Sequence, residues 1–221
     1  MEGKTHRLGG VLCTLIGYSV LESRGGLTEG VSPWLQLTVV YPFALYGSVF
    51  SDLDHTWLSA PVKDPFSFIV NKILHLTTWL RKKTPAKGKL LAVFDAKHRS
   101  WQTHSDLFLV LLIAAFFAVL NSDLPGVASV IFKLVAVGFI TGVVSHLILD
   151  MLTIDGIWCI LPSLIKGKRV TIRLVPKSKF FSTGGRWEMI VRVVLCVAIA
   201  VLAVRLLYIS SPYRLVFSPY F

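Results

Sequence analysis

The sequence predicts an all-α integral membrane protein of about five transmembrane helices, with an amphipathic helix lying on the membrane surface between the second and third. Three observations predict it. Apolar residues come in long runs, and only 16% of the chain is charged against 54% hydrophobic, whereas a soluble domain carries roughly 25% charged residues. Lys and Arg concentrate in alternate connections between those runs. Five of the six histidines stand at the run ends that this alternation places on one side.

A span needs about 20 apolar residues, fewer where the bilayer thins. The runs fall at about 8–21, 34–50 (with Pro42 inside), 106–120, 127–151 and 188–209, and the whole chain, 1–221, reads as a single membrane-embedded domain. The first run follows MEGKTHRLGG without a small-residue cleavage site, so it is expected to be retained. From Asp64 to Leu80, Phe66, Phe68, Ile69, Ile73, Leu76 and Trp79 alternate with Lys72 and His75, the pattern of an interfacial helix, and the basic loop RKKTPAKGK follows.

Orientation follows from the basic residues beside the spans. Lys4 and Arg7 precede the first, nine Lys or Arg lie between Ser51 and Ser105, and seven follow the fourth span, while the other two loops hold only Arg24. An N-terminus in the cytoplasm puts all three basic segments there. The net charge of +11 then points to anionic lipid headgroups as the partner and not to nucleic acid. Cys13, Cys159 and Cys196 lie far apart in apolar stretches, with no thiolate metal spacing, and read as buried structural thiols. Trp34, Trp57, Trp79, Trp101, Trp158 and Trp187 read as interfacial belts and His75 as structural.

The polar residues left over carry chemistry. His6 precedes the first span. SDLDH, with Asp52, Asp54 and His55, ends the second. HRSWQTHS, with His98, Arg99 and His104, enters the third, and His146 and Asp150 end the fourth. Singly, each has a bland reading as an interfacial residue, a hydrated carboxylate or a hydrogen-bonded pair. Together they are a ligand set. Imidazole and carboxylate suit zinc or manganese, and the i, i+4 spacing of His146 and Asp150 puts both on one helix face. Eight candidate ligands (His6, Asp52, Asp54, His55, His98, His104, His146 and Asp150) accommodate one to three divalent ions. Asp52 is the candidate general base or bridging carboxylate, and Arg99 the candidate contact for an anionic substrate. Thr103, Ser105 and Thr153 are candidates to orient the ligands.

GKTHRLGG, SDLDH, HRSWQTHS and GVVSHLILDMLTIDGI, followed by ILPSLIKGKRVTIRL and the Thr183–Glu188 segment, resemble the YdjM-like family of bacterial inner-membrane proteins, some LexA-regulated, described as metal-dependent hydrolases. The resemblance covers about Gly3 to Glu188. One departure is that the family's HRGxTHS reads HRSWQTHS here, one residue longer and without its glycine. The family is also distantly similar to zinc-dependent phospholipase C. The resemblance implies a metal-dependent hydrolase in the bacterial cytoplasmic membrane with its site on the cytoplasmic face. The position of the site at headgroup depth then suggests a phosphoester, such as a membrane lipid or lipid-linked phosphate. The alternatives are a divalent-cation carrier, which needs polar groups at mid-membrane, and a non-catalytic scaffold with a structural metal.

Overall fold

The computed structural model describes residues 3–23, 31, 33–52, 103–122, 126–153, 155–166, 168–175 and 185–209. Among these are six helices: α1 (Gly3–Ser23), α2 (Pro33–Phe50), α3 (Asp106–Leu120), α4 (Gly126–Met151), α5 (Ile160–Lys166) and α6 (Arg186–Ile209). The five long ones match the five apolar runs to within a few residues. The amphipathic segment at 64–80 and the basic loop after it lie outside the described residues. Of the described helices, α4 and α6 are long and apolar enough to cross a membrane, and α2 and α3 are apolar but shorter.

Local chemistry sets the helix ends. Pro33 opens α2, where its missing N–H costs nothing. Pro42 stands inside the helix without ending it. Ser105 caps α3 by accepting the Phe108 N–H at 3.0 Å. At the end of α4 the Thr153 hydroxyl donates to the Asp150 carbonyl at 2.8 Å.

Helix α4 is the centre of the bundle, packed against α1, α2 and α3, and its contact with α2 is the most extensive. That contact is close because glycines line it. A Cβ on Gly138 would meet the Val40 carbonyl, one on Gly142 the Ala44 carbonyl, and one on Gly47 the Phe139 carbonyl. Two backbones touching at small residues is the usual way helices associate in lipid, where there is little hydrophobic drive between them. Val40, Leu134 and Val137 fill the seam beside the glycines. We therefore expect Gly142→Ala to destabilise the bundle by about 1–3 kcal/mol through overpacking. Gly17→Ala is the control, since its Cβ would sit 3.5 Å from Thr141, an ordinary contact. It should be neutral, or stabilising by up to about 1 kcal/mol from helix propensity. Thermal unfolding in detergent compares the two, and equal melting temperatures would contradict the close α2–α4 contact.

The outer faces are apolar. On α6, Val193, Val194, Val197, Val201 and Val204 are exposed, and α3 buries none of its residues. So much exposed aliphatic surface would be an aggregation site in water and is what lipid requires.

The described residues are mostly helical, as expected, with one small addition: Ile157–Trp158 (β1) pairs antiparallel with Thr171–Ile172 (β2) around α5. Gly156, at φ +61°, begins this hairpin where a side chain would collide with the Ile172 carbonyl. Two expectations are corrected. Trp158 does not belong to an interfacial belt: it is buried in the hairpin, with the Arg169 guanidinium 4.7 Å above its ring. Cys196 is not buried but exposed on α6, and Cys13 and Cys159 are half-buried.

Candidate metal centre

The four helix ends that carry the candidate ligands meet at one end of the bundle. His6 comes from the first turns of α1 and Asp52 from the turn that ends α2. His104 stands two residues before α3, and His146 and Asp150 come from the last turns of α4. His6, His104, His146 and Asp150 are at most 1% exposed, whereas the Asp52 side chain is 32% exposed and forms the open side.

The donor atoms converge. His146 Nε2 lies 3.3 Å from His104 Nε2 and 3.6 Å from Asp150 Oδ2, and His104 Nε2 is 3.4 Å from the same carboxylate oxygen. On the other side, Asp52 Oδ1 is 3.6 Å from His146 Nε2 and 3.8 Å from His104 Nε2, while Asp150 Oδ1 is 3.6 Å from His6 Nε2. Two overlapping groups result, His104–His146–Asp150 and His6–Asp52–His146, each able to hold a metal ion. His146 belongs to both.

The spacing fits a small divalent ion. Ligands at about 2.0–2.1 Å from a tetrahedral zinc stand roughly 3.3–3.4 Å from one another, close to the three edges of the His104–His146–Asp150 triangle. The protonation pattern fits as well. His146 Nδ1 lies 2.7 Å from the Ser48 carbonyl, which can only accept, so Nδ1 carries the proton and Nε2 turns a lone pair toward the cluster. Fixing the far nitrogen in this way is characteristic of metal-ligating histidines. His104 Nδ1 is likewise engaged, 2.9 Å from Thr103 Oγ1. A buried carboxylate whose neighbours are imidazoles calls for a compensating positive charge. Burial alone would raise the Asp52 carboxyl, but its interactions with His104 first, and then with His146 and His6, outweigh it and bring it down to about 2.

The His104 turn is held by the hairpin. Trp158 N–H donates to the His104 carbonyl at 2.7 Å, and Ser105 bridges to Trp158. Asp106 extends the tie by accepting the Ile160 N–H at 2.9 Å and the Cys159 thiol at 3.2 Å. Burial first, and this carboxylate second, push that thiol's pKa up.

Five of the eight expected ligands are thus brought together. Asp54, His55, His98 and the expected substrate contact Arg99 lie outside the described residues. Of the three candidate orienting residues, Thr103 touches a ligand ring and Thr153 binds the Asp150 backbone. The Ser105 hydroxyl caps α3 instead of a ligand. The sequence reading missed Ser48, whose role is a backbone carbonyl and leaves no trace in residue type. It also missed Glu188, fully buried at the start of α6. Its signal was available: a carboxylate followed four residues later by Arg192 in an apolar run.

The chain is 29% identical over 184 residues to a protein of Bacillus subtilis (strain 168) described as "Uncharacterized protein YvsG", covering 82% of this chain and 84% of that one. No solved structure matches. The family model described as "YdjM inner membrane protein" matches residues 1–211, which takes in every ligand named above. With its apolar outer helices and its buried histidine–carboxylate cluster, the chain belongs to the YdjM inner membrane protein family.

Proposed function

We propose that this protein is a membrane-bound, divalent-metal-dependent hydrolase acting on a phosphoester, such as a lipid headgroup, at the cytoplasmic face. The observation that carries the reading is the convergence of three imidazole Nε2 atoms and two carboxylates within 3.3–3.8 Å. His6, Asp52, His104, His146 and Asp150 would hold zinc, or manganese in its place. Such an ion, when bound, lowers the pKa of water and polarises a phosphoryl oxygen.

The chain's own residues do the rest. The Ser48 carbonyl fixes the His146 tautomer, so that its Nε2 lone pair faces inward without reorganisation, and Thr103 holds the His104 ring in place. Asp150 presents one oxygen to His6 and the other to His104 and His146. Asp52, on the open side, is the carboxylate within reach of an incoming substrate and of water, as bridging ligand or proton acceptor. The buried four exclude solvent beneath it. A non-catalytic structural metal is the second reading, favoured by the near-complete burial of those four. The partial exposure of Asp52 favours the enzyme.

Purified protein loaded with zinc or manganese, offered phosphoester and phospholipid substrates in mixed micelles, tests the choice. Metal-dependent turnover that chelation abolishes is expected. Metal binding without turnover on any substrate would leave the structural reading in its place.

The same proposal includes five spans with the N-terminus and the site inside, supported by eighteen Lys and Arg in three segments against one in the other two. Cysteines placed at Gly30 and Ser122 should label from outside intact cells, and those at Gly88 and Lys168 should not. Outside labelling at Gly88 would overturn the orientation.

A further inference from the structure

Three side chains beside the metal centre play no part in the scheme above. Thr5 and Glu188 are fully buried, and Arg192 stands one turn along α6 from Glu188. Arg192 Nε donates to Thr5 Oγ1 at 2.8 Å, and the Thr5 hydroxyl donates in turn to Glu188 Oε1 at 2.6 Å. Arg192 Nη2 stands 3.4 Å from that same oxygen. The three groups close a ring between the first turns of α1 and α6. Helix α6 packs chiefly on α1, so this ring is its polar anchor. Ionisable groups inside an apolar helix are costly and are seldom there for packing alone.

The ring bears on the next residue along α1, His6. The other two histidines are oriented through their far nitrogens, by Ser48 and by Thr103. Among the described residues, buried His6 Nδ1 has no hydrogen-bond partner. Its ring is stacked on His146, with centroids 3.9 Å apart, and a stack alone leaves the ring free to slide in its plane. What brings His6 Nε2 to 3.6 Å from Asp150 is therefore the placement of the α1 backbone beneath it. Successive residues of a helix are rigidly related, so clamping Thr5 sets the position of His6.

We propose that Thr5, Glu188 and Arg192 form a positioning clamp for His6, through which the last helix tunes the metal affinity of the centre. The inference rests on the reading of the histidine–carboxylate cluster as a metal site. Zinc and cobalt(II) binding to the full-length protein in detergent tests it, with the visible spectrum of bound cobalt reporting coordination. Thr5→Val keeps the shape of the side chain and removes the hydroxyl. It should weaken binding about 10–100-fold, the usual cost of losing an outer partner, and alter the cobalt spectrum. Glu188→Ala should do the same. Thr5→Ser and Glu188→Gln retain the hydroxyl and the acceptor oxygen, and should restore most of the affinity. Thr14→Val is the control, since it breaks the 2.9 Å bond between Thr14 and Thr141, which also ties α1 to a neighbour but lies farther along the helix. It should leave both affinity and spectrum unchanged. Thr5→Val and Glu188→Ala proteins that bind like wild type would overturn the clamp alone. So would an equal loss in Thr14→Val, by reducing the effect to general loosening of α1. Wild type that binds neither ion would overturn the site reading and the clamp with it.

Discussion

His146→Ala is expected to strip the protein of its divalent metal while leaving it inserted in the membrane. His146 is the residue common to both ligand groups, and its Nε2 lies within 3.6 Å of donors from His104, Asp52 and Asp150. Losing an outer partner costs about 10–100-fold in affinity, so losing this shared ligand should cost at least the upper end of that range. Asp150→Ala should approach it, because Asp150 faces all three imidazoles. The bundle should survive both changes. Its α2–α4 seam is built on Gly47, Gly138 and Gly142, and the Val40 cluster that fills it lies along the helices from the site. Metal content and thermal unfolding of detergent-purified variants check the two halves of the statement. Full metal stoichiometry in both variants would reduce His146 and Asp150 to a hydrogen-bonded pair.

Asp52→Asn should separate binding from turnover. Asn keeps the size and one oxygen ligand, yet cannot accept a proton. Hydrolysis should therefore fall about 10²–10⁴-fold, the range for loss of a positioned proton acceptor, with most of the metal retained. The buried ligands His104, His146 and Asp150 form a complete group without Asp52, which is why retention is expected. Asp54→Asn should lose metal and activity together if Asp54 is a direct ligand. Metal content and turnover, measured on the same preparations, distinguish the two carboxylates. Undiminished turnover in Asp52→Asn would remove that residue from the chemistry.

The helices were legible because lipid imposes a simple demand: long apolar runs with basic residues at their ends. The meeting of His6, Asp52, His104, His146 and Asp150 at one end of the bundle followed from the alternation of helix direction alone, before any distance was known. What could not be read depends on contacts between distant segments. The β1–β2 hairpin has two residues in each strand, too few for a period-two pattern. Trp158 is buried by contacts that no local pattern shows, with His104 bonded to its backbone, Arg169 over its ring, and Ile160 and Leu164 beside it. Cys196 sits in an apolar run, and in a soluble protein that would favour burial. On α6 the apolar face turns outward because the helix leans chiefly on α1. Glu188 and Arg192 were visible as charges in a span, but their partner Thr5 lies 183 residues from Glu188, beyond the reach of local pattern.

The most direct test of the central claim is the divalent metal content of the wild-type protein, purified without chelator and measured by elemental mass spectrometry against protein concentration. The geometry of His104, His146 and Asp150 predicts at least one zinc or manganese per chain, removed by chelation and restored by either ion. Protein that remains folded, carries no divalent metal and takes up none on titration would contradict the metal centre.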